Sequence, residues 1–135
     1  MLGLQGHENN VSCLALSPSG QYLASGQITH SGFAADIIVW DMESRKILHR
    51  MSLHKVKVQA LSFSCDDMYL ASLGGQDDNN LVVWDVTTGK AVCGSPTSRE
   101  NTLTVKFCSI LNNKLVTSGH QNQQVPFLNF KRRFN

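Results

Sequence analysis

The stretches Ile37-Ile38-Val39-Trp40-Asp41 and Leu81-Val82-Val83-Trp84-Asp85 decide how this chain folds. Each is an apolar, β-branched run that ends in a Trp-Asp dipeptide, and the two tryptophans lie 44 residues apart (84 − 40 = 44). A repeat of about 40–45 residues in which Trp-Asp ends a strand is typical of a β-propeller blade. The spacing therefore predicts a propeller, which is a rigid binding surface, and the function then depends on its partners.

The sequence before each dipeptide repeats as well. His7 precedes Ser25 by 18 residues, His54 precedes Ser72 by 18 residues, and Tyr-Leu-Ala-Ser closes both intervals unchanged. The interval from this serine to the tryptophan is 15 residues in the first copy and 12 in the second. We place the three extra residues in a loop, because a loop lengthens at little entropic cost whereas a strand that slips by one residue turns over its faces.

Each copy is predicted to form a four-stranded antiparallel blade, and a third, weaker copy follows. Residues 103–107 and 114–119 repeat the first two strands, but no Trp-Asp comes after them. A third strand over 125–130 would be poor, because Pro126 has no N–H for the ladder. We therefore expect an all-β fold, a partial β-propeller whose ring is not closed. Its blades cover 6–52, 53–96 and 97–119 within a domain of residues 1–119, and a divergent tail covers 120–135.

The length and net charge of the chain limit the classes of partner that we expect. The chain has 135 residues, and a propeller needs about four to eight blades to close, so we expect it to be part of a longer propeller. A net charge of +2 predicts no strong field for nucleic acid or an anionic membrane. No apolar run approaches the roughly 18–20 residues that span a bilayer. The four cysteines show no Cys-x-x-Cys pair, which favours reduced structural thiols over a zinc site.

Motifs for catalysis are absent from the sequence. It contains no phosphate-binding P-loop, no His-Glu-x-x-His and no Gly-x-Ser-x-Gly. Asp66-Asp67 and Asp77-Asp78 are adjacent carboxylates, but both fall in predicted turns, where Asp is favoured because it bonds nearby backbone N–H groups. The sequence thus predicts a protein that is not an enzyme, with no catalytic residue, no metal, no cofactor and no small-molecule substrate.

The segments Gly6-His7 to Trp40-Asp41 and Leu53-His54 to Trp84-Asp85 resemble the WD-repeat family of seven-bladed propellers. A blade of that family is often braced by a buried hydrogen-bond chain of His, Ser or Thr, Asp and Trp. The resemblance implies such a chain in the second repeat, formed by His54, Ser72, Asp78 and Trp84. It implies one in the first repeat from His7, Ser25 and Trp40. Position 34 is Ala and the nearest acid is Asp36, so the first chain is expected to be incomplete or rerouted through the longer loop.

Over residues 1 to about 110 the chain further resembles WD-repeat proteins of motile axonemes, through segments outside the generic blade pattern. This implies a scaffold of the cytoplasm and of the cilium or flagellum, a microtubule inner protein that binds tubulin and other axonemal proteins and stabilises doublets. A cytosolic adaptor for signalling or ubiquitin ligation is the alternative. Insertions accumulate on binding faces, so the loop from Gln27 through His30 and Phe33 to Ala35 is a candidate partner contact; a variable solvent loop is the competing interpretation.

Overall fold

The computed structural model describes residues 6–7, 10–29, 34–75, 78, 80–96, 102–107, 115–119 and 122–124. These residues form three antiparallel sheets. The strands are β1 Val11–Leu16, β2 Tyr22–Gln27, β3 Ala34–Asp41, β4 Lys46–Lys55, β5 Val58–Phe63, β6 Tyr69–Gly74, β7 Asn80–Asp85, β8 Ala91–Pro96, β9 Thr102–Phe107, β10 Leu115–Gly119 and β11 Asn122–Gln124. Within the described ranges, no helix has the length and apolar character needed to cross a bilayer.

The first two sheets each hold four consecutive strands, in the orders β1-β2-β3-β4 and β5-β6-β7-β8. The third sheet has the order β11-β10-β9. Strands β1, β5 and β9 are the first strands of their sheets, and β5 lies beside both β1 and β9. The sheets therefore stand side by side around a common inner edge, and the ring is open. This confirms the predicted fold class, an all-β, unclosed partial propeller.

Several strands extend beyond the limits that the sequence predicts. Strand β4 runs to Lys55, beyond the boundary at residue 52 that the sequence suggests, and β11 carries the third sheet to Gln124, beyond residue 119. Strand β2 reaches Gln27 and β3 begins at Ala34, so pairing takes up part of the long loop expected there. The weak strand predicted over 125–130 lies outside the described residues.

The core lies between the sheets. Ala24, Ile37 and Val39 of the first sheet pack in one cluster with Leu70 and Trp84 of the second. The other face of the second sheet packs against β9 through Val105. In both third strands, successive apolar residues are buried, as continuous apolar runs predict for a strand covered on both faces. The second sheet is therefore the middle layer of the described stack.

The first strand of the first sheet exposes one row of its side chains. Cys13 and Ala15 pack into the cluster shared with the second sheet. Because side chains alternate along a strand, Leu14 and Leu16 point to the opposite face, and they are 63% and 59% exposed. Cys13, Cys65 and Cys93 form no disulfide with one another. The sequence favours structural thiols, but Cys65 is exposed, because it lies in the turn after β5.

The first two sheets approach closely where β2 faces β5. The Ser12 hydroxyl donates to the Val58 carbonyl at 2.6 Å. A Cβ atom at Gly26 would lie 2.6 Å from the Val58 Cβ and 2.9 Å from the Cys13 Sγ. Both neighbours are core atoms, so only a residue without a side chain fits between the sheets at this point.

We expect Gly26→Ala to lower the free energy of unfolding by about 1–3 kcal/mol, because the new methyl group overpacks the contact between the two sheets. Chemical denaturation measures the change. The matched control is Gly94→Ala on β8, where a Cβ would meet only ordinary contacts, the nearest at 3.4 Å. Its effect should stay within about 1 kcal/mol and can be stabilising. Equal losses in both variants would contradict the close approach.

Candidate functional site

A buried chain of hydrogen bonds joins the four residues that the family resemblance assigns to the second repeat. His54 lies near the end of β4, Ser72 on β6, Asp78 in the β6–β7 loop and Trp84 on β7. The Trp84 Nε1 donates to the Ser72 Oγ at 2.7 Å. The Ser72 Oγ is 2.7 Å from the His54 Nε2, and the His54 Nδ1 is 2.7 Å from the Asp78 Oδ2. The chain therefore links the last strand of the first sheet to the second sheet.

The donors and acceptors in this chain define the state of His54. The indole N–H of Trp84 can only donate, and an ionised carboxylate can only accept. The Ser72 hydroxyl, which accepts from Trp84, is then free to donate to the His54 Nε2, and the proton on Nδ1 goes to Asp78. This order requires a neutral imidazole. Burial lowers the pKa of His54 below its ordinary value of 6.5, against a smaller raising effect of the hydrogen bond and charge of Asp78.

Asp78 also holds the β6–β7 loop in place. Its Oδ2 accepts the Lys55 backbone N–H at 3.1 Å, and its Oδ1 accepts the Asn80 side-chain amide at 2.7 Å. Gly74 leaves the room for this carboxylate, because a Cβ there would lie 2.7 Å from the Asp78 Oδ2 and 2.8 Å from the His54 Nδ1. One carboxylate thus connects the histidine, the β4–β5 junction and its own loop.

The first repeat contains the same chain with a different acceptor. Trp40 Nε1 donates to the Ser25 Oγ at 2.9 Å, and the Ser25 Oγ is 2.6 Å from the His7 Nε2. The His7 Nδ1 lies 2.8 Å from the Gln27 Oε1. The amide oxygen of Gln27 therefore takes the place that the Asp78 carboxylate has in the second repeat.

Two expectations about Gln27 are corrected by this geometry. The sequence predicts a chain that is incomplete or rerouted through the longer loop, whereas the acceptor comes from β2, two residues after Ser25 and on the same face of the strand. The sequence also offers Gln27 as a partner contact, whereas its side chain is bonded to His7 and the residue is 3% exposed. When the two repeats are aligned on Ser25 and Ser72, Gln27 falls opposite Gly74, whose lack of a side chain makes room for Asp78. This difference between the repeats is the sequence signal that points to Gln27 as the acceptor. His30 and Phe33 lie outside the described residues.

Ser72, His54 and Asp78 have the connectivity of a hydrolase triad, yet they cannot act as one. In a triad the serine hydroxyl meets a substrate carbonyl. Here Ser72 and His54 are both 0% exposed, and the Ser72 Oγ already accepts the indole N–H of Trp84. No substrate atom can reach the oxygen without unfolding the blade. The arrangement is a brace that satisfies buried polar groups.

Acidic residues elsewhere serve turns and sheet contacts. Asp66 Oδ1 accepts the Ser64 hydroxyl at 2.7 Å and the Met68 N–H at 3.1 Å, which closes the β5–β6 turn. Asp67 accepts the hydroxyl of Ser19 from the β1–β2 turn of the neighbouring sheet. Within the part of the chain that the structure describes, no three His, Cys, Asp or Glu side chains are grouped to hold a metal ion. Asp77 lies outside that part.

We expect Asp78→Ala to lower the free energy of unfolding by about 1.5–3 kcal/mol, because it leaves the buried His54 Nδ1–H and the Lys55 N–H without their acceptor. Asp78→Asn keeps one acceptor oxygen, as Gln27 does in the first repeat, and should lose less than half as much. Denaturant unfolding compares the two variants. Equal losses would show that the loop, rather than the acceptor, carries the effect.

We expect acid to destabilise the protein through His54. Its pKa is lowered by burial, so below pH 6.5 the unfolded chain takes up a proton that the folded chain resists. Stability should therefore fall as pH drops from 6.5 to 5, by up to about 1.4 kcal/mol per pH unit from this one group. The difference in slope between the natural chain and His54→Gln isolates the effect. A steeper fall in the variant would mean that the ion pair with Asp78 dominates instead.

Comparison with solved structures identifies the fold as that of a β-propeller. The chain superposes on the crystal structure of the β-propeller domain of Cps50 (Swd1) from Myceliophteria thermophila with a TM-score of 0.78 and 17% identity, covering 91% of this chain and 37% of that one. The structure of U3-55K gives a TM-score of 0.77 at 22% identity, covering 90% of this chain and 37% of that one. At these identities the likeness shows the fold alone.

Relatives found by sequence comparison share more identical residues with this chain than these solved structures do. Cilia- and flagella-associated protein 52 of Chlamydomonas reinhardtii is 64% identical over 122 residues, which cover 90% of this chain and 20% of that protein. The human protein of the same name is 49% identical over 133 residues, covering 96% of this chain and 22% of that protein. The resemblance to a WD-repeat protein associated with cilia and flagella is confirmed. The chain spans about a fifth of the length of these relatives.

The family model of the WD domain, G-beta repeat, matches residues 2–41 and 45–85. Each matched segment ends on a Trp-Asp dipeptide at the end of a third strand, and each contains the serine that receives the indole N–H. The chain belongs to the WD40-repeat family.

Proposed function

We propose that this chain is part of a non-enzymatic scaffold of motile cilia and flagella. The observation that carries the proposal is the identity of up to 64% to cilia- and flagella-associated protein 52 over 90% of this chain. A scaffold needs a rigid shape rather than a reactive group, and the buried Ser-His-Asp arrangement braces the fold instead of reacting.

The contacts between the sheets support a rigid scaffold. His49 of the first sheet bonds the Val86 carbonyl of the second through its Nε2 at 2.8 Å. Ser19 and Asp67 join the turns, and Ser12 joins Val58. Polar ties of this kind fix two sheets in one relative orientation, because each must keep its hydrogen-bond geometry. A surface that spans both sheets is then preorganised for a partner, which lowers the cost of ordering on binding.

We propose that the protein acts as a microtubule inner protein in the axoneme, where it binds tubulin and other axonemal proteins and stabilises doublet microtubules, with a pool in the cytoplasm. His30 and Phe33 remain candidate contact residues in the segment between β2 and β3. A cytosolic adaptor of signalling or ubiquitin-ligase complexes is the competing function on the same fold.

Localisation tests the proposal. We expect the tagged full-length protein, expressed in ciliated cells, to lie along motile axonemes and to stay there after detergent removes membrane and soluble protein. The tag alone should be extracted. The matched variant Trp84→Phe, which keeps an aromatic side chain but loses the five-membered ring and the N–H donated to Ser72, should remain axonemal with a lower melting temperature. A diffuse, fully extractable protein that co-purifies with ligase subunits would support the adaptor and overturn the scaffold.

A further inference from the structure

We infer that the outer strand β4 is a docking edge for an acidic protein surface with apolar contact points. This deepens the proposed scaffold function, on which it rests for the expectation that the partner is a protein. Strand β4 has ten residues, Lys46–Lys55, and lies at the outer end of its sheet. It is the longest strand described, and its outer side pairs with no other described strand.

Two β-bulges in β4 place leucines on the surface. Trp40 pairs with Ile47 and Val39 with His49, so Leu48 is the extra residue of the first bulge. Asp36 pairs with Ser52 and Ala35 with His54, so Leu53 is the extra residue of the second. These leucines are 43% and 53% exposed. A bulge redirects a side chain, and here both bulges redirect a large apolar one.

The exposure of Leu48 is specific to this blade. Val92 occupies the equivalent bulge in the second sheet, between the pairs Trp84–Ala91 and Val83–Cys93. It is 6% exposed because it packs in the cluster that includes Val105 of the third sheet. The second sheet packs next to the first in the same way, since His49 of the first sheet bonds the Val86 carbonyl of the second. Leu48 is therefore left uncovered although the adjacent sheet is present.

The bulges also determine how a partner docks. An unpaired edge invites another strand, but each bulge interrupts the regular ladder and leaves one residue of β4 unpaired. An added strand would lose register twice within ten residues. The partner therefore docks on side chains, with Leu48 and Leu53 as apolar anchors roughly 16 Å apart at about 3.3 Å per residue.

The charge on β4 selects an acidic partner. The strand carries Lys46, Arg50 and Lys55 and contains no Asp or Glu. Arg50 bonds Asp36 and the Gly6 carbonyl within the sheet. Lys46 and Lys55 form no ion pair among the described residues, and they flank the two leucines. Two lysines with two leucines suit a protein surface better than a phosphate backbone, which needs a denser row of cations.

Site-specific photo-cross-linking in the full-length protein tests the inference. A photoreactive amino acid replaces Leu48, and in a second version the exposed Met68, and both are activated in ciliated cells. We expect position 48, and not 68, to yield an adduct with one protein through a peptide of net negative charge. Lys46→Glu with Lys55→Glu should lower the adduct yield roughly tenfold, because like charges then meet. Lys90→Glu, outside β4, should leave it unchanged.

The outcomes separate this inference from the proposed function. Position 48 giving no adduct above that of 68, a lipid or nucleic-acid adduct, a basic peptide, or an equal loss in Lys90→Glu would each overturn the docking edge. Axonemal localisation is scored in the same cells. A protein that is axonemal but gives no adduct at 48 keeps the scaffold function and loses the docking edge. An acidic adduct in a protein outside cilia does the reverse.

Discussion

The indole of Trp84 donates its N–H to a serine that has no contact with water, and the blade depends on that bond. A buried donor without an acceptor would cost free energy, and so would the serine and histidine behind it. The chain from Trp84 through Ser72 and His54 to Asp78 gives each of these buried polar groups a hydrogen-bond partner. Because its members come from β4, β6, β7 and a loop, satisfying them fixes how these elements meet.

The two repeats supply the final acceptor in different ways. In the second, Gly74 leaves space and Asp78 reaches in from the β6–β7 loop, so the loop is held by the same carboxylate that receives the histidine proton. In the first, Gln27 supplies an amide oxygen from the strand itself. That chain needs no acceptor from the segment between β2 and β3. In both repeats the histidine Nδ1 lies within hydrogen-bond distance of the last acceptor.

The site also shows how connectivity can mislead about function. Serine, histidine and aspartate at hydrogen-bond distances match the connectivity of a catalytic triad. Whether they act as one depends on whether a substrate can reach the serine oxygen and on what else bonds to it. Here the fourth member is an indole that occupies the serine oxygen, and burial is complete for Ser72 and His54. The brace holds the surfaces of both sheets in position, and the outer edge of the first sheet, where Leu48 and Leu53 are exposed, is one of these surfaces.

Repetition and apolar pattern determined much of this protein by themselves. The strands ending in Trp40 and Trp84 follow from continuous apolar runs. The members of the second hydrogen-bond chain follow from the resemblance to the WD40 family. These signals are local, because a strand's period and a repeat's length are written along the chain. The tertiary structure decided the acceptor at Gln27 and the exposure of Leu48 and Leu53. Hydrogen-bond partners and bulges depend on which backbone approaches which in space, and no spacing along the chain records that distance.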